Sequence, residues 1–205
     1  MTTKRVADAV AAALLLVVLG PLLLLTAAVV RLGLGAPVLF RQERVGLAGR
    51  VFVLLKFRTM TDAHSPDGQL QGDAARLTSL GLWLRRLSLD ELPQLWNVIR
   101  GDMSLVGPRP LVTWYLPRYS RDQRRRHEVR PGITGWAQVH GRNRLSWEHK
   151  FELDVWYVDH LSPWLDLRIL LVTVAKVLRR EGISQEGETS SEEFMGSAET
   201  APGPE

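Results

Sequence analysis

Apolar and polar positions divide the chain into a long uncharged opening, an alternating middle and a polar end. From Ala9 to Val30 the run AVAAALLLVVLGPLLLLTAAVV carries no charge, about the twenty residues that a helix needs to cross a bilayer. It is too long for the apolar region of a cleavable signal peptide. Gly20-Pro21 interrupts its centre. Proline lacks an N–H and its ring clashes with the carbonyl of Val17, four residues back, so a helix here must kink. Lys4 and Arg5 precede the run, while Arg31, Arg41, Arg44 and Arg50 follow it. Positive residues mark the cytoplasmic side. A segment that enters, bends at Gly20-Pro21 and returns keeps both clusters on one side, so the pattern favours a re-entrant helix-break-helix over a kinked span.

A second membrane signal lies in residues 162–180, SPWLDLRILLVTVAKVLRR. Helical spacing puts Leu167, Leu170, Leu171, Val174, Val177 and Leu178 on one face, with Arg168, Lys176, Arg179 and Arg180 opposite and Trp164 at the entry. Such a helix can lie in the lipid interface or pack on the protein's own core.

Between these segments, VLFRQERVGLAGRVFVLLKFRTM (38–60) reads as a strand, a turn at Gly46–Gly49 and a second strand from Val51. Lys56 and Arg58 share one side of that second strand. Residues 61–76 are rich in Asp, Gly, Ser and Pro and read as a surface loop. LTSLGLWLRRLSL resumes helical apolar spacing, and a further helix over Leu92, Leu95, Trp96 and Ile99 stops at Gly101. Past Gly182 the chain is acidic and rich in Ser, Gly and Pro, the composition of a flexible tail. These boundaries divide the chain into an anchor (1–36), a catalytic body (37–185) and an acidic tail (186–205).

Composition narrows the chemistry. At 205 residues and 45% hydrophobic content the chain can build one core. It holds no cysteine, which excludes disulfides, thiol catalysis and Cys-ligated zinc, and its five histidines form no H-x-x-x-H pair. All 26 Lys and Arg lie at or before Arg180, whereas 7 of the 22 acidic residues follow it. A basic body points to a polyanionic partner: a phosphate-bearing substrate, an anionic membrane or a nucleic acid. Arg118, Arg121, Arg124, Arg125, Arg126 and Arg130 make a dense run without a base-reading helix or finger. Beside a membrane segment, attraction to anionic headgroups accounts for it more economically than nucleic acid does, and a solvated helix face accounts for it equally. No G-x-G-x-x-G or Walker A pattern is present.

SLDELPQ (88–94) holds the most specific chemistry. Ser88 and Glu91 fit an S-x-x-E capping box, yet Asp90 and Glu91 are adjacent carboxylates with Arg85 and Arg86 just before them. In SLVGPRPLV, Pro108 and Pro110 bracket Arg109 and stiffen its loop, which suits a guanidinium to phosphate binding.

The bent opening segment, the basic hairpin, LSLDELPQLWNVIRGDMSLVGPRPL, VRPGITGWAQVHGRN and FELDVWYV together resemble the bacterial sugar transferase family, the monotopic phosphoglycosyl transferases, and especially their small bacillosamine-type members. The resemblance covers residues 4 to about 195. It implies an α+β, mostly helical fold with a re-entrant membrane helix, a small β-hairpin and interfacial amphipathic helices, on the cytoplasmic face of the bacterial inner membrane. It implies a Mg²⁺-dependent enzyme that moves a sugar 1-phosphate from a UDP-sugar to polyprenyl (undecaprenyl) phosphate and releases UMP. The expected sugar is an N-acetylated amino sugar such as diacetylbacillosamine. Asp90 and Glu91 would be the catalytic dyad, Asp90 the nucleophile that forms an aspartyl phosphosugar and Glu91 a metal ligand with it or its acid/base partner. Lys56, Arg58, Arg85, Arg109 with its flanking Pro108 and Pro110, and Arg142 would meet phosphates. Membrane lipids are the remaining expected partner, and nucleic acid is not one. The family's bend is usually Ser-Pro, where this chain has Gly20-Pro21. The rival reading is a silent membrane adaptor that keeps the anchor and needs no dyad.

Overall fold

The computed structural model describes residues 2–141, 145–179 and 193–196. The fold is α+β and mostly helical. Helices α1 (Thr2–Val18) and α2 (Gly20–Leu34) are bent by 65° at their break. Pro21 sits in the first turn of α2, where backbone N–H groups lack intrahelical partners anyway. The amides of Leu19 and Leu23 still donate to the carbonyls of Leu15 and Leu19, each at 2.8 Å, so the bend breaks little of the ladder. Among the described residues no single helix is long and apolar enough to cross a membrane, but this bent pair passes that test together. Around the bend the surface is bare and apolar, with Val17 78% and Leu24 75% exposed.

The opening turns of α1 are built into the body. Ala12 is fully buried. Lys4 Nζ lies 2.6 Å from Asp166, Arg5 Nη2 donates to the Ile99 carbonyl at 2.5 Å, and the Ser104 hydroxyl donates to Asp8 at 2.6 Å. The first dozen residues of the expected anchor therefore help close the core of the body.

Strands β1 (Leu39–Val45) and β2 (Val51–Phe57) form the antiparallel hairpin that their alternation predicts, closed by a turn at Leu47–Gly49. The 61–76 stretch folds back through the bridges Met60↔Leu77 and His64↔Leu70 and ends in the short α3 (Asp73–Arg76). Helix α4 (Ser79–Arg86) starts where the Thr78 hydroxyl accepts the Gly81 amide at 3.0 Å. Helix α5 (Gln94–Arg100) stops at Gly101, whose φ of 92° is left-handed. The fully buried Asn97 joins α5 to β2 by accepting from the Leu55 amide and donating to the Val53 carbonyl.

Strand β3 (Ser104–Val106) pairs in parallel with β4 (Gly132–Thr134). Around them lie α6 (Arg121–Arg124), α7 (Trp136–His140), α8 (Trp147–Asp159) and α9 (Pro163–Leu178). The main core joins Leu54, Leu95, Val98, Val106, Tyr157 and Ile169. Helix α9 packs one face on the protein's own core and leaves other apolar residues bare. Leu165 and Ile169 face that core, while Leu167, Leu171 and Val174 are exposed, next to Trp164 at 76% exposure.

The arginine run is largely consumed inside the fold. Arg126 is 3% exposed and pairs with the buried Asp154 at 2.7 Å. Arg125 pairs with Asp159, Arg118 with Glu193, and Arg130 Nε donates to the Gly101 carbonyl. Arg121 and Arg124 remain exposed. Arg118, Arg125, Arg126 and Arg130 thus meet carboxylates and carbonyls distant in sequence.

Candidate active site

The turn that carries the two carboxylates is strained. Ser88 has φ 54° and ψ 22°, in the left-handed region, at a cost of about 1–2 kcal/mol for a residue with a side chain. The 3-10 turn Leu89–Glu91 follows, then Leu92 and Pro93 lead into α5. Ser88 makes no capping hydrogen bond. The capping-box expectation fails because an N-cap needs extended backbone and because the Glu91 carboxylate is engaged elsewhere. Glu91 Oε1 accepts from Lys56 Nζ at 2.7 Å and from Arg109 Nη2 at 2.9 Å.

The two neighbours therefore differ sharply in environment. Burial works to raise the Glu91 carboxyl, but the charges and hydrogen bonds of Arg109 and Lys56 outweigh it and hold that carboxyl well below the usual range. Asp90 is 6% exposed, and no hydrogen bond among the described residues engages its carboxylate. Burial lifts its pKa above the ordinary aspartate value and Glu91 adds to the lift, against the opposing charges of Lys56, Arg85 and Arg109. A desolvated carboxylate with no hydrogen bond among the described residues, under the charge of nearby cations, has the character that a nucleophile or a metal ligand requires.

Each cation arrives on a different element. Lys56 comes from β2. Arg85, in the last turn of α4, donates from Nε to the Thr59 hydroxyl at 3.1 Å. Gly81 permits that approach, since a Cβ on it would lie 1.8 Å from the Thr59 carbonyl oxygen. Arg109 projects from a rigid loop in which Pro108 and Pro110 are buried while its own side chain is 49% exposed. That loop is clamped to the β4 entry, where the Gly107 amide donates to the Thr134 carbonyl at 2.9 Å and the Gly132 amide to the Pro108 carbonyl at 3.0 Å. The strands meet so closely that a Cβ on Gly132 would stand 2.1 Å from the Gly107 nitrogen.

Matched against known proteins, residues 1–180 fit the model of the bacterial sugar transferases. The chain belongs to that family. It is 57% identical over 201 residues to a Bacillus subtilis (strain 168) protein named "Uncharacterized sugar transferase EpsL", covering 98% of this chain and all of that one. It is 46% identical over 185 residues to the UDP-glucose:undecaprenyl-phosphate glucose-1-phosphate transferase of Caulobacter vibrioides, covering 85% of this chain and 69% of the relative. It is 40% identical over 184 residues to the UDP-N-acetylgalactosamine-undecaprenyl-phosphate N-acetylgalactosaminephosphotransferase of Aeromonas hydrophila, covering 85% of this chain and 43% of the relative. The last two of these relatives share one reaction type in their names, with different sugars.

The candidate phosphate-binding residues of the sequence separate in space. Lys56, Arg85 and Arg109 gather on the dyad. Arg58 is occupied elsewhere: it donates to the carbonyls of Met60 and Ala36 and pairs with Asp62 at 2.5 Å, joining the end of the hairpin to the segment after α2. Arg142 lies outside the described residues.

Arg44 on β1 went unrecognised in the sequence as a site residue. Its Nε is buried with no hydrogen-bond partner among the described residues, its Nη2 donates to Gln42 Oε1 at 2.6 Å, and burial together with the Arg109 charge lowers its pKa to about 10. Strand alternation, which puts Arg44 on the same side as Gln42, was the only available signal. Thr59, whose hydroxyl fixes Arg85, carried none.

Proposed function

We propose that this sugar transferase moves a sugar 1-phosphate from a UDP-sugar to a polyprenyl phosphate, of the undecaprenyl type named in its relatives, through a covalent intermediate on Asp90. The observation that carries the reading is the Asp90 carboxylate: buried, without a hydrogen bond among the described residues, and acted on by Lys56, Arg85 and Arg109. Its oxygen attacks the sugar-linked phosphorus, and the bridging P–O bond breaks as UMP leaves with its electron pair. An oxygen of the lipid phosphate then attacks the same phosphorus, the Asp90–phosphorus bond breaks, and the carboxylate is regenerated beside a polyprenyl diphosphate sugar. Lys56 and Arg109 hold Glu91 in place and offer positive charge to phosphate oxygens, where preorganised charge is worth most.

The donor set fits Mg²⁺ shared with the substrate. Asp90 and Glu91 supply hard carboxylate oxygens, and among the described residues no group of three ligands builds a cage. Magnesium binds through one or two carboxylates plus substrate phosphates. Bound there, it would neutralise phosphate charge during displacement.

The bare apex of the α1–α2 bend and the apolar outer face of α9 support a reading in which the first is a re-entrant anchor and the second an interfacial helix, and the basic residues on both sides of the anchor favour the cytoplasmic face of the inner membrane. A lipid-borne phosphate would then reach Asp90 from the bilayer surface while the nucleotide sugar arrives from water. The diacetylbacillosamine expected from the sequence finds no support in the relatives' names given above, which speak of glucose and N-acetylgalactosamine.

The test is UMP release from a panel of UDP-sugars with undecaprenyl phosphate and Mg²⁺. Turnover with at least one sugar, abolished by Asp90→Asn, is expected. Near-normal turnover in that variant removes the nucleophile assignment.

A further inference from the structure

Beyond the matched region 1–180, in the acidic stretch that composition reads as a flexible tail, Glu193–Gly196 is docked on the body. Phe194 is 1% exposed. Its ring stacks on Tyr119 with centroids 5.8 Å apart, and meets Tyr115 and Phe151 edge-on at 5.6 and 4.9 Å. Trp147 closes a further side at 5.8 Å. The backbone is held as firmly as the ring: its amide donates to the Tyr115 hydroxyl at 3.1 Å and its carbonyl accepts from Arg118 Nη1 at 2.5 Å. The same guanidinium nitrogen lies 2.7 Å from the Glu193 carboxylate. An acid followed by an aromatic residue is thus received by an arginine and a ring-lined seat.

The seat is continuous with the candidate active site. Arg126 donates to the Tyr119 hydroxyl at 3.4 Å, and its guanidinium lies over the rings of Tyr119 and Phe151, at 5.8 and 5.4 Å from their centroids. These are two of the rings that enclose Phe194. Arg126 also donates to the backbone carbonyl of Arg109 at 2.8 Å, and Arg109 holds Glu91. Phe194 is therefore connected to the dyad through Tyr119, Arg126 and Arg109.

We propose that Glu193-Phe194 is a docked positioning element, which fills the seat of Tyr115, Tyr119, Trp147 and Phe151 and thereby braces Arg126 against the Arg109 loop. The proposal rests on the transferase reading for its effect on turnover. Removing the Phe194 ring leaves Tyr119 and Phe151 unsupported on one side, and closely packed side chains respond to such a void by shifting. The shift passes to Arg126 and to the carbonyl that it holds, and displacing a group that positions phosphate by about 1 Å can cost up to roughly a hundredfold.

The experiment uses the full chain carrying Phe194→Ala and a synthetic peptide of residues 190–198. The variant is expected to lose about tenfold in kcat/KM, chiefly through KM for the UDP-sugar. Saturating native peptide should restore it, whereas the peptide carrying Phe194→Ala should not, and Phe194→Tyr in the full chain should stay near native activity. Glu193→Gln, an exposed change that opens no cavity, should weaken the same peptide's binding and raise KM modestly. Binding of fluorescent peptide to the Phe194→Ala chain is read by anisotropy without turnover. If the native chain turns over no UDP-sugar while the peptide binds, the transferase reading has failed and the docking stands. An unchanged kcat/KM in Phe194→Ala, a loss that the peptide does not recover, or a gain in activity would each overturn the positioning role.

Discussion

Lys56 and Glu91, 35 positions apart, meet at 2.7 Å and join the β-hairpin to the strained turn that presents Asp90. The same Glu91 oxygen takes Arg109 at 2.9 Å, so one carboxylate ties together the hairpin, the dyad and the proline-bracketed loop. Lys56→Met is expected to lower kcat by about 10²–10³, the usual loss for one preorganised charge. A double-mutant cycle with Glu91→Gln, read in UMP release, should show strong non-additivity, since each partner already loses the other. Simple additivity would mean that the pair does not act as a unit.

Gly81→Ala places a methyl group where the Thr59 carbonyl oxygen lies, 1.8 Å away. Thr59 carries the hydroxyl that holds Arg85. Overpacking at such a contact costs about 1–3 kcal/mol. Thermal melting should register that loss, and UMP release should fall with it as Arg85 leaves its place. A variant with native melting and native turnover would show that helix α4 can shift freely.

Ser88 offers the opposite experiment. Its positive φ suits glycine, so Ser88→Gly should be neutral or stabilising by up to about 1 kcal/mol. Ser88→Val, β-branched in the same conformation, should destabilise by about 1–3 kcal/mol. Denaturant unfolding of the two variants compares them directly, and equal stabilities would argue against strain at this turn.

His127 makes stability depend on mild acid. Burial first, and the Arg126 charge second, lower its pKa from 6.5 to about 4, against a hydrogen bond with the Gly46 backbone. Between those values the unfolded chain binds a proton that the folded chain does not, so stability must fall as pH drops from 6.5 toward 4. The full loss is about 3 kcal/mol from this group. His127→Gln should flatten that part of a plot of melting temperature against pH; an unaltered slope would assign it to other groups.

The outer face of α9 tests membrane height. Leu167 and Leu171 are 45% and 63% exposed, and each leucine moved into lipid is worth about 1–2 kcal/mol. Leu167→Glu with Leu171→Glu should weaken binding to anionic vesicles by about tenfold or more while leaving the melting temperature near native. Undiminished flotation with vesicles would place this face away from the bilayer.

Local chemistry made part of this legible in advance. The uncharged run with Gly20-Pro21 predicts a bent helix pair because proline acts on its own helix, and the hairpin follows from alternation around Gly46–Gly49. The stop at Gly101 and the rigid presentation of Arg109 between Pro108 and Pro110 are likewise properties of neighbouring residues. Motif resemblance led to Asp90 and Glu91, for which pattern alone gave a capping box.

What distant residues do to one another was not legible. Ser88 stands in left-handed backbone that its own side chain does not favour, and Arg126 pairs inside with Asp154 rather than lying on a basic face. Arg58 and Lys56 alternate onto one side in the sequence pattern, but Arg58 lies just past the end of β2 and meets backbone carbonyls and Asp62, whereas Lys56 meets Glu91. Strands β3 and β4, three residues each, are too short to show a period, and pair through glycines that let two backbones touch. Phe194, a lone aromatic in a polar stretch, acquires meaning only from Tyr115, Tyr119, Trp147 and Phe151. Sequence by itself determined the bent helix pair, the hairpin and the helix stop at Gly101, since periodicity and turns are set by adjacent residues, and its motifs carried the resemblance that names the chemistry; tertiary packing decided which charges are paired, buried or left facing the dyad, since those depend on groups that the chain brings together only on folding.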